Sequence, residues 1–320
     1  MRLSQAAALL FGVSLLSFAI LQVSPGDYFQ EMRLNPQISQ AAIEKMRAQY
    51  GLDKPILVRY GRWLVSVVSG EFGISFAYGT PVGPLLWARA RNTLLLTITA
   101  TLLGWTLAVI LGAICAIAPG SIFDRGCSLI SSFFLGIPEL LLCLVLLAIA
   151  VRTGWFASGG MRSVGGSLES MTWLEQTRDL MRHLVLPVTA LVLGILPVFF
   201  LHVRNSLFST LDLPFIHAAA GHGIPRLRIL SRYAMPVAAN ALISLFGLSI
   251  GSLLSISLVT EVITSWPGLG PLLLEAVLAR DVYVVIGVVM VSALFLVCGI
   301  TLADVLLYAS DPRIRTERLA

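Results

Sequence analysis

Residues 282–308 read VYVVIGVVMVSALFLVCGITLADVLLY, with Asp304 as the only charged side chain. A helix crossing the hydrocarbon layer of a bilayer needs about 20 predominantly apolar residues. Inside that layer a backbone must satisfy its own hydrogen bonds, which a helix does within a single segment. The stretch therefore predicts a membrane-spanning helix. Five more segments read the same way, over residues 3–23, 93–118, 127–151, 183–203 and 237–259. The fold class expected is an all-α polytopic membrane protein with about six transmembrane helices. After the first span the chain reads Leu21-Gln22-Val23-Ser24-Pro25-Gly26-Asp27, without a small-x-small cleavage site, so a retained anchor is expected.

Composition agrees. The 320 residues are 57% hydrophobic and 12% charged, about half the charge of a soluble domain. The mean hydropathy is +0.88. These values exclude a disordered chain, a coiled coil and an ordinary soluble globule. The net charge of +5 fits arginines gathered in cytoplasmic loops, and no basic run with interleaved aromatics points to nucleic acid. Cys115, Cys127, Cys143 and Cys298 lie in or beside apolar runs and form no C-x-x-C pair. They read as small buried hydrophobes, neither a disulfide framework nor a metal site.

The expected organisation has a first helix over residues 1–24 and an extracytoplasmic loop region over 25–92. A transmembrane domain follows over 93–310, then a cytoplasmic tail over 311–320. Within the loop region a surface helix is expected to start near Asn35-Pro36 and stop at Tyr50-Gly51. Ile38, Ala42 and Met46 would share one face. Between the third and fourth spans, Gly159-Gly160 and Gly165-Gly166 mark turns. The inside set of short-loop arginines, with Arg125, Arg204, Arg226, Arg228 and Arg232 among them, favours both termini in the cytoplasm.

Much chemistry is missing from the sequence. Lys45 and Lys54 are its only lysines and neither lies in a Gly-rich loop, so no G-x-x-x-x-G-K-[ST] cradle for a nucleotide exists. H-E-x-x-H is absent, and His183, His202, His217 and His222 stand apart from carboxylates in sequence. No catalytic residue and no metal ligand is nominated. Work against a gradient would need a partner's energy or coupled ions.

The informative connection is residues 204–235. It contains His217-Ala218-Ala219-Ala220-Gly221-His222-Gly223, with Pro236 thirteen residues after Gly223. The alanines favour a short helix, the glycines stop it, and small side chains let another backbone approach closely. The bland alternative is a loop helix lying on the membrane surface. The pattern resembles the E-A-A-x-x-x-G motif of ATP-binding-cassette (ABC) importer permeases, with His217 in place of the glutamate. Further motifs resemble the dipeptide/oligopeptide/nickel subgroup. They are Pro25-Gly26-Asp27, Tyr50-Gly51-Leu52-Asp53-Lys54-Pro55 and Gly70-Glu71-Phe72-Gly73-Ile74-Ser75. In order after them come Glu261-Val262-Ile263-Thr264-Ser265-Trp266-Pro267-Gly268-Leu269-Gly270, Arg280-Asp281 and Asp311-Pro312-Arg313-Ile314-Arg315. Val282-Tyr283 departs from the family's R-D-Y-P.

The resemblance implies the type I ABC importer permease fold in the bacterial cytoplasmic membrane. It implies a second homologous permease subunit, two cytoplasmic ATP-binding subunits and an extracytoplasmic solute-binding protein as partners. ATP and Mg would be bound by the partner subunits, with no cofactor in this chain. His217, Ala218, Ala219, Gly223 and Arg226 would belong to a coupling helix that docks on an ATPase. Glu261, Trp266, Pro267 and Gly268 would contribute to an outer gate or to docking of the binding protein, and the first outer loop is a second docking candidate.

Glu139 stands out on physical grounds. Twelve residues into the third expected span, it would sit roughly 18 Å from the membrane edge at 1.5 Å per residue. A carboxylate at such depth costs several kcal/mol unless it meets a cavity or a partner. It is either a translocation-path acid attracting a cationic group, such as a peptide amino terminus, or a protonated or Arg-paired residue at the second permease. The leading function is import of short peptides. Nickel or nickel-chelate import is the alternative within the subgroup, which also spans oligosaccharides, glutathione and opines. A stand-alone secondary transporter is the alternative of a different class, and would call for inverted repeats and several deep charges. An intramembrane enzyme would need a nucleophile and base within the spans.

Overall fold

The computed structural model describes residues 2–23, 28–29, 39–49, 51, 53–163 and 172–310. Pro25-Gly26-Asp27, Asn35-Pro36, Tyr50, Leu52, Gly165-Gly166 and the 311–315 motif lie outside the described residues. The elements are α1 (Arg2–Val23), α2 (Gln40–Gln49), α3 (Ile56–Val68), α4 (Val82–Ile117), α5 (Ile122–Leu135), α6 (Glu139–Thr153) and α7 (Trp173–Leu211). They continue with α8 (Pro214–Gly221), α9 (Arg226–Ile229), α10 (Met235–Ile263), α11 (Leu269–Leu278) and α12 (Val282–Ser310). A π-helical turn, Leu230–Ala234, joins α9 to α10 in one rod.

Among the described residues four helices are long and apolar enough to cross a membrane: α4, α7, the α9–α10 rod and α12. The pair α5 and α6 makes a fifth span when taken together, bent by 101°. This corrects the single straight span expected over 127–151. Gly136-Ile137-Pro138 interrupts it, because Pro138 has no N–H to continue a helix and instead caps the next one. Apolar α1 has its shorter fully described stretch at residues 4–20. The fourth expected span, 183–203, is only the inner part of the 39-residue α7. Thr172 starts that helix with a reciprocal capping box to Glu175. Consequently the connection drawn at 204–235 narrows to residues 212–225. The expected surface helix appears as α2, capped by Ser39 Oγ accepting from the Ala42 N–H, with Gly51 beyond it at φ +66°.

The chain forms two compact units, residues 1–93 with 267–297 and residues 94–266 with 298–320. The first unit thus joins the late segment 267–297 to the N-terminal part of the chain.

In the first unit α1 packs on α3 through Phe18, Tyr60 and Trp63, whose rings lie 5.4–6.3 Å apart. Ser14 and Tyr60 share a buried hydrogen bond of 2.9 Å. A second knot ties two motifs distant in sequence. The buried Asp281 carboxylate accepts from Ser75 Oγ at 2.6 Å and from the Ala77 N–H at 3.0 Å. Tyr283, one of the two residues that depart from R-D-Y-P, packs its ring against Gly73 and Phe76. Outside the spans, Tyr78 donates to Glu275. Burial, then this bond, push its phenol up to about 12, so it remains a donor at physiological pH.

In the second unit α7 is central: 61% of its apolar window is buried, against 33–39% for the other three long spans. It packs on α5, α6 and α10. Trp105 of α4 stacks on Phe199 of α7 at 4.6 Å, meets Phe246 of α10 edge-on and donates to Ser249 Oγ at 3.2 Å. Glycines set the closest approaches. A Cβ at Gly112 would lie 2.7 Å from Val203 Cγ1, and one at Gly299 would lie 2.5 Å from Ile250 Cγ2. In lipid, apolar burial gives little drive to helix association, so close backbone packing at small residues matters more.

Candidate functional site

The short helix α8 begins with Pro214 at its first position, where a missing N–H is harmless. It ends at Gly221, and Gly223 at φ +77° makes the left-handed turn beyond it. The Ile224 N–H then bonds the Ala219 carbonyl at 3.3 Å and the Gly223 N–H bonds Ala220 at 2.9 Å, closing a Schellman-type stop. The expectation of a short alanine helix stopped by glycine therefore matches the geometry.

The helix is two-sided. Ile216 and Ala219 are buried, whereas Phe215, His217, Ala218 and Ala220 face outward. The five residues expected to act together thus divide. Ala219 anchors the helix, His217 and Ala218 present a small outward surface, Gly223 makes the turn, and Arg226 opens α9. Beside them lies a cleft of about 320 Å³ lined by Phe208, Leu211, Asp212, His217, Ala220 and Arg226 together with the end of α4. His217 Nε2 is 3.4 Å from Asp212 Oδ1, but both are exposed, so the pair is worth little.

Sequence reasoning missed the support beneath this helix. Arg204, expected at the end of the fourth span, stands inside α7, seven residues before its last residue. Its guanidinium forks onto Asp124 at the start of α5, Nε to Oδ1 at 2.5 Å and Nη2 to Oδ2 at 2.7 Å. Asp124 is 2% exposed and also accepts the Gly120 N–H at 2.8 Å. Ser121 caps α5 by accepting from the Asp124 N–H. The available signal was Ser121-x-x-Asp124, a capping pattern in front of an apolar run.

Glu139 does not sit where the helix-rise arithmetic put it. The axis turns between α5 and α6, so the expected depth of roughly 18 Å along one rod is withdrawn. Instead it occupies the first position of α6, where a helix dipole favours a carboxylate. Its side chain is half-buried against Gly194 of α7, where an added Cβ would lie 3.3 Å from Glu139 Cγ and Oε1.

The Glu261-to-Gly268 group also changes character. Glu261 and Trp266 are both fully buried, Gly268 is buried and Pro267 half-buried. Glu261 and Trp266 thus expose no side chain in this structure. Trp266 joins the core of the second unit rather than a membrane interface. Ser265 at φ +51° lets the Trp266 N–H reach the Glu261 carbonyl at 2.8 Å and stops α10. Residues 159–160 close over this end, with the Gly160 N–H on Thr264 O at 3.0 Å.

The family model described as binding-protein-dependent transport system inner membrane component matches residues 108–316, and the model for the N-terminal part of such components matches residues 1–97. The chain belongs to this family. The permease is 34% identical over 308 residues to the oligopeptide transport system permease protein AppB of Bacillus subtilis (strain 168), covering 96% of this chain and 95% of that one. It is 30% identical over 326 residues to the di/tripeptide transport system permease protein DppB of Pseudomonas aeruginosa (strain UCBPP-PA14), covering 96% and 95%. Among solved structures, a chain of the MetNI methionine ABC transporter in an inward-facing conformation matches with a TM-score of 0.52 at 19% identity. That match covers 71% of the permease and 96% of the MetNI chain. At that identity the likeness speaks to fold alone, and the fold is that of the type I ABC importer permeases.

Proposed function

We propose that the permease forms half of the translocation pathway of an ATP-driven importer of short peptides. The observation that carries this reading is near-full-length similarity to permeases named for oligopeptides and for di- and tripeptides. In this reading a second permease completes the pathway and a solute-binding protein delivers the peptide from outside. Two ATPases bind ATP and Mg on the cytoplasmic side, where both termini of this chain also lie. The outward face of α8, with His217 and Ala218, enters a groove on one ATPase. Ala219 and Ile216 hold the helix to its own subunit, and the Arg204–Asp124 fork fixes the end of α7 that leads into it. A docked movement of α8 is thereby transmitted to α7 and its neighbours as a rigid body, which is what coupling physically requires. Glu139 faces the peptide path, and the turn at Pro267 and Gly268 belongs to the outer gate.

The test separates docking from folding. Ala218→Glu adds a charge to the outward face without touching the buried one. It is expected to abolish ATPase co-purification or peptide uptake while the melting temperature stays within a degree or so of wild type. Ala219→Leu overpacks the buried face and is expected to destabilise by about 1–3 kcal/mol. Undiminished uptake and ATPase retention in Ala218→Glu would overturn the coupling assignment.

A further inference from the structure

Within the first unit lies a cleft of about 260 Å³ that the transport reading does not use. Lys54, Arg59, Arg62, Trp63 and Tyr283 line it, and no carboxylate does among the described residues. Trp63 is 4% exposed, yet its indole Nε1 has no hydrogen-bond partner among the described residues. A buried donor without an acceptor is unfavourable, and an oxyanion with several acceptor oxygens entering beside Lys54, Arg59 and Arg62 would satisfy it.

The surroundings select the kind of oxyanion. Trp63 packs on Phe18, five residues before the end of apolar α1, and tryptophan near the end of a membrane helix favours the polar edge of a bilayer. The same two helices expose a continuous supply of aliphatic surface. Leu57, Val65 and Val68 of α3 are 70–85% exposed, and Leu15, Leu16 and Ile20 of α1 are exposed as well. A small soluble anion has no use for such surface, whereas acyl chains do. Basic pockets beside membrane helices suit phosphate headgroups, and arginine binds phosphate through two parallel hydrogen bonds.

We propose that this cleft binds the phosphodiester of an anionic phospholipid. Lys54, Arg59 and Arg62 surround the phosphate, the Trp63 indole N–H donates to it, and the acyl chains run along the exposed aliphatic side chains of α1 and α3. The proposal depends on α1 being a membrane helix and not on what the permease carries.

The intact transporter, delipidated in detergent, is titrated with phosphatidylglycerol, with phosphatidylcholine and with inorganic phosphate. Melting temperature and native mass spectrometry are the readouts. Phosphatidylglycerol is expected to bind saturably and raise the melting temperature, and the other two probes are not. Trp63→Phe keeps an aromatic ring in the cluster but removes the N–H. Arg62→Gln removes one charge from an exposed side chain and leaves the packing intact. Each is expected to weaken the phosphatidylglycerol midpoint roughly tenfold, the loss of about one good hydrogen bond. Wild-type midpoints in both variants would overturn the proposal. Equal protection by inorganic phosphate would replace it with a free-anion site, and equal protection by phosphatidylcholine would remove the role of charge.

Discussion

At the scale of single residues the Asp124 carboxylate decides how α5 meets α7. It is buried, capped by a backbone N–H and forked by Arg204. Removing one partner of such a pair leaves the other charge poorly compensated, a loss of about 3–5 kcal/mol. Asp124→Asn is therefore expected to lower the melting temperature of the purified permease sharply. Adding Arg204→Gln in the same background should cost little more, because the two side chains act as one unit. Additive losses would show that the fork is not the stabilising contact. Glu139 gives a second residue-scale prediction. Uptake of peptides with a free amino terminus is expected to fall severalfold in Glu139→Gln, while peptides with a blocked amino terminus are unaffected. An equal loss for both would mark Glu139 as a packing residue against Gly194.

At the scale of elements, small residues set how closely helices pack. A methyl group at Gly112 would meet Val203 side-chain carbons and the Arg204 backbone nitrogen at 2.7–3.0 Å, so α4 could not keep its place on α7. Gly112→Ala is expected to destabilise by about 1–3 kcal/mol. Gly126→Ala in α5, where nothing lies within 4 Å, should be neutral or slightly stabilising. Thermal unfolding of the two variants side by side checks this, and equal stability would contradict the close approach. The spans themselves were legible, because apolar runs of 20 or more residues have few other fates. The break at Gly136-Ile137-Pro138 was harder to see. Hydropathy continues straight through it, and only the proline carries the signal. The true start of α7 at Trp173 was equally hidden from hydropathy, although Thr172 and Glu175 announce it through capping.

At the scale of the molecule, each compact unit joins residues far apart in the chain. Asp281 reaches Ser75 across 206 positions, which explains why two motifs that read separately in the sequence belong to one knot. No local pattern reveals such a pairing, since periodicity and capping report only on neighbours. The alanine helix at 214–221 was legible for the opposite reason, because its start, its small outward face and its glycine stop are all local. The buried state of Trp266 was not, because an aromatic residue at a span's end fits a membrane interface and a core equally well.

The central claim, ATP-driven peptide import through this permease, is tested most directly in proteoliposomes holding the assembled transporter. The measurement is accumulation of a radiolabelled dipeptide supplied with the solute-binding protein. The account predicts accumulation that requires both ATP and the binding protein and is lost in Ala218→Glu. Accumulation driven by an ion gradient without ATP, or of nickel in place of peptide, would contradict it.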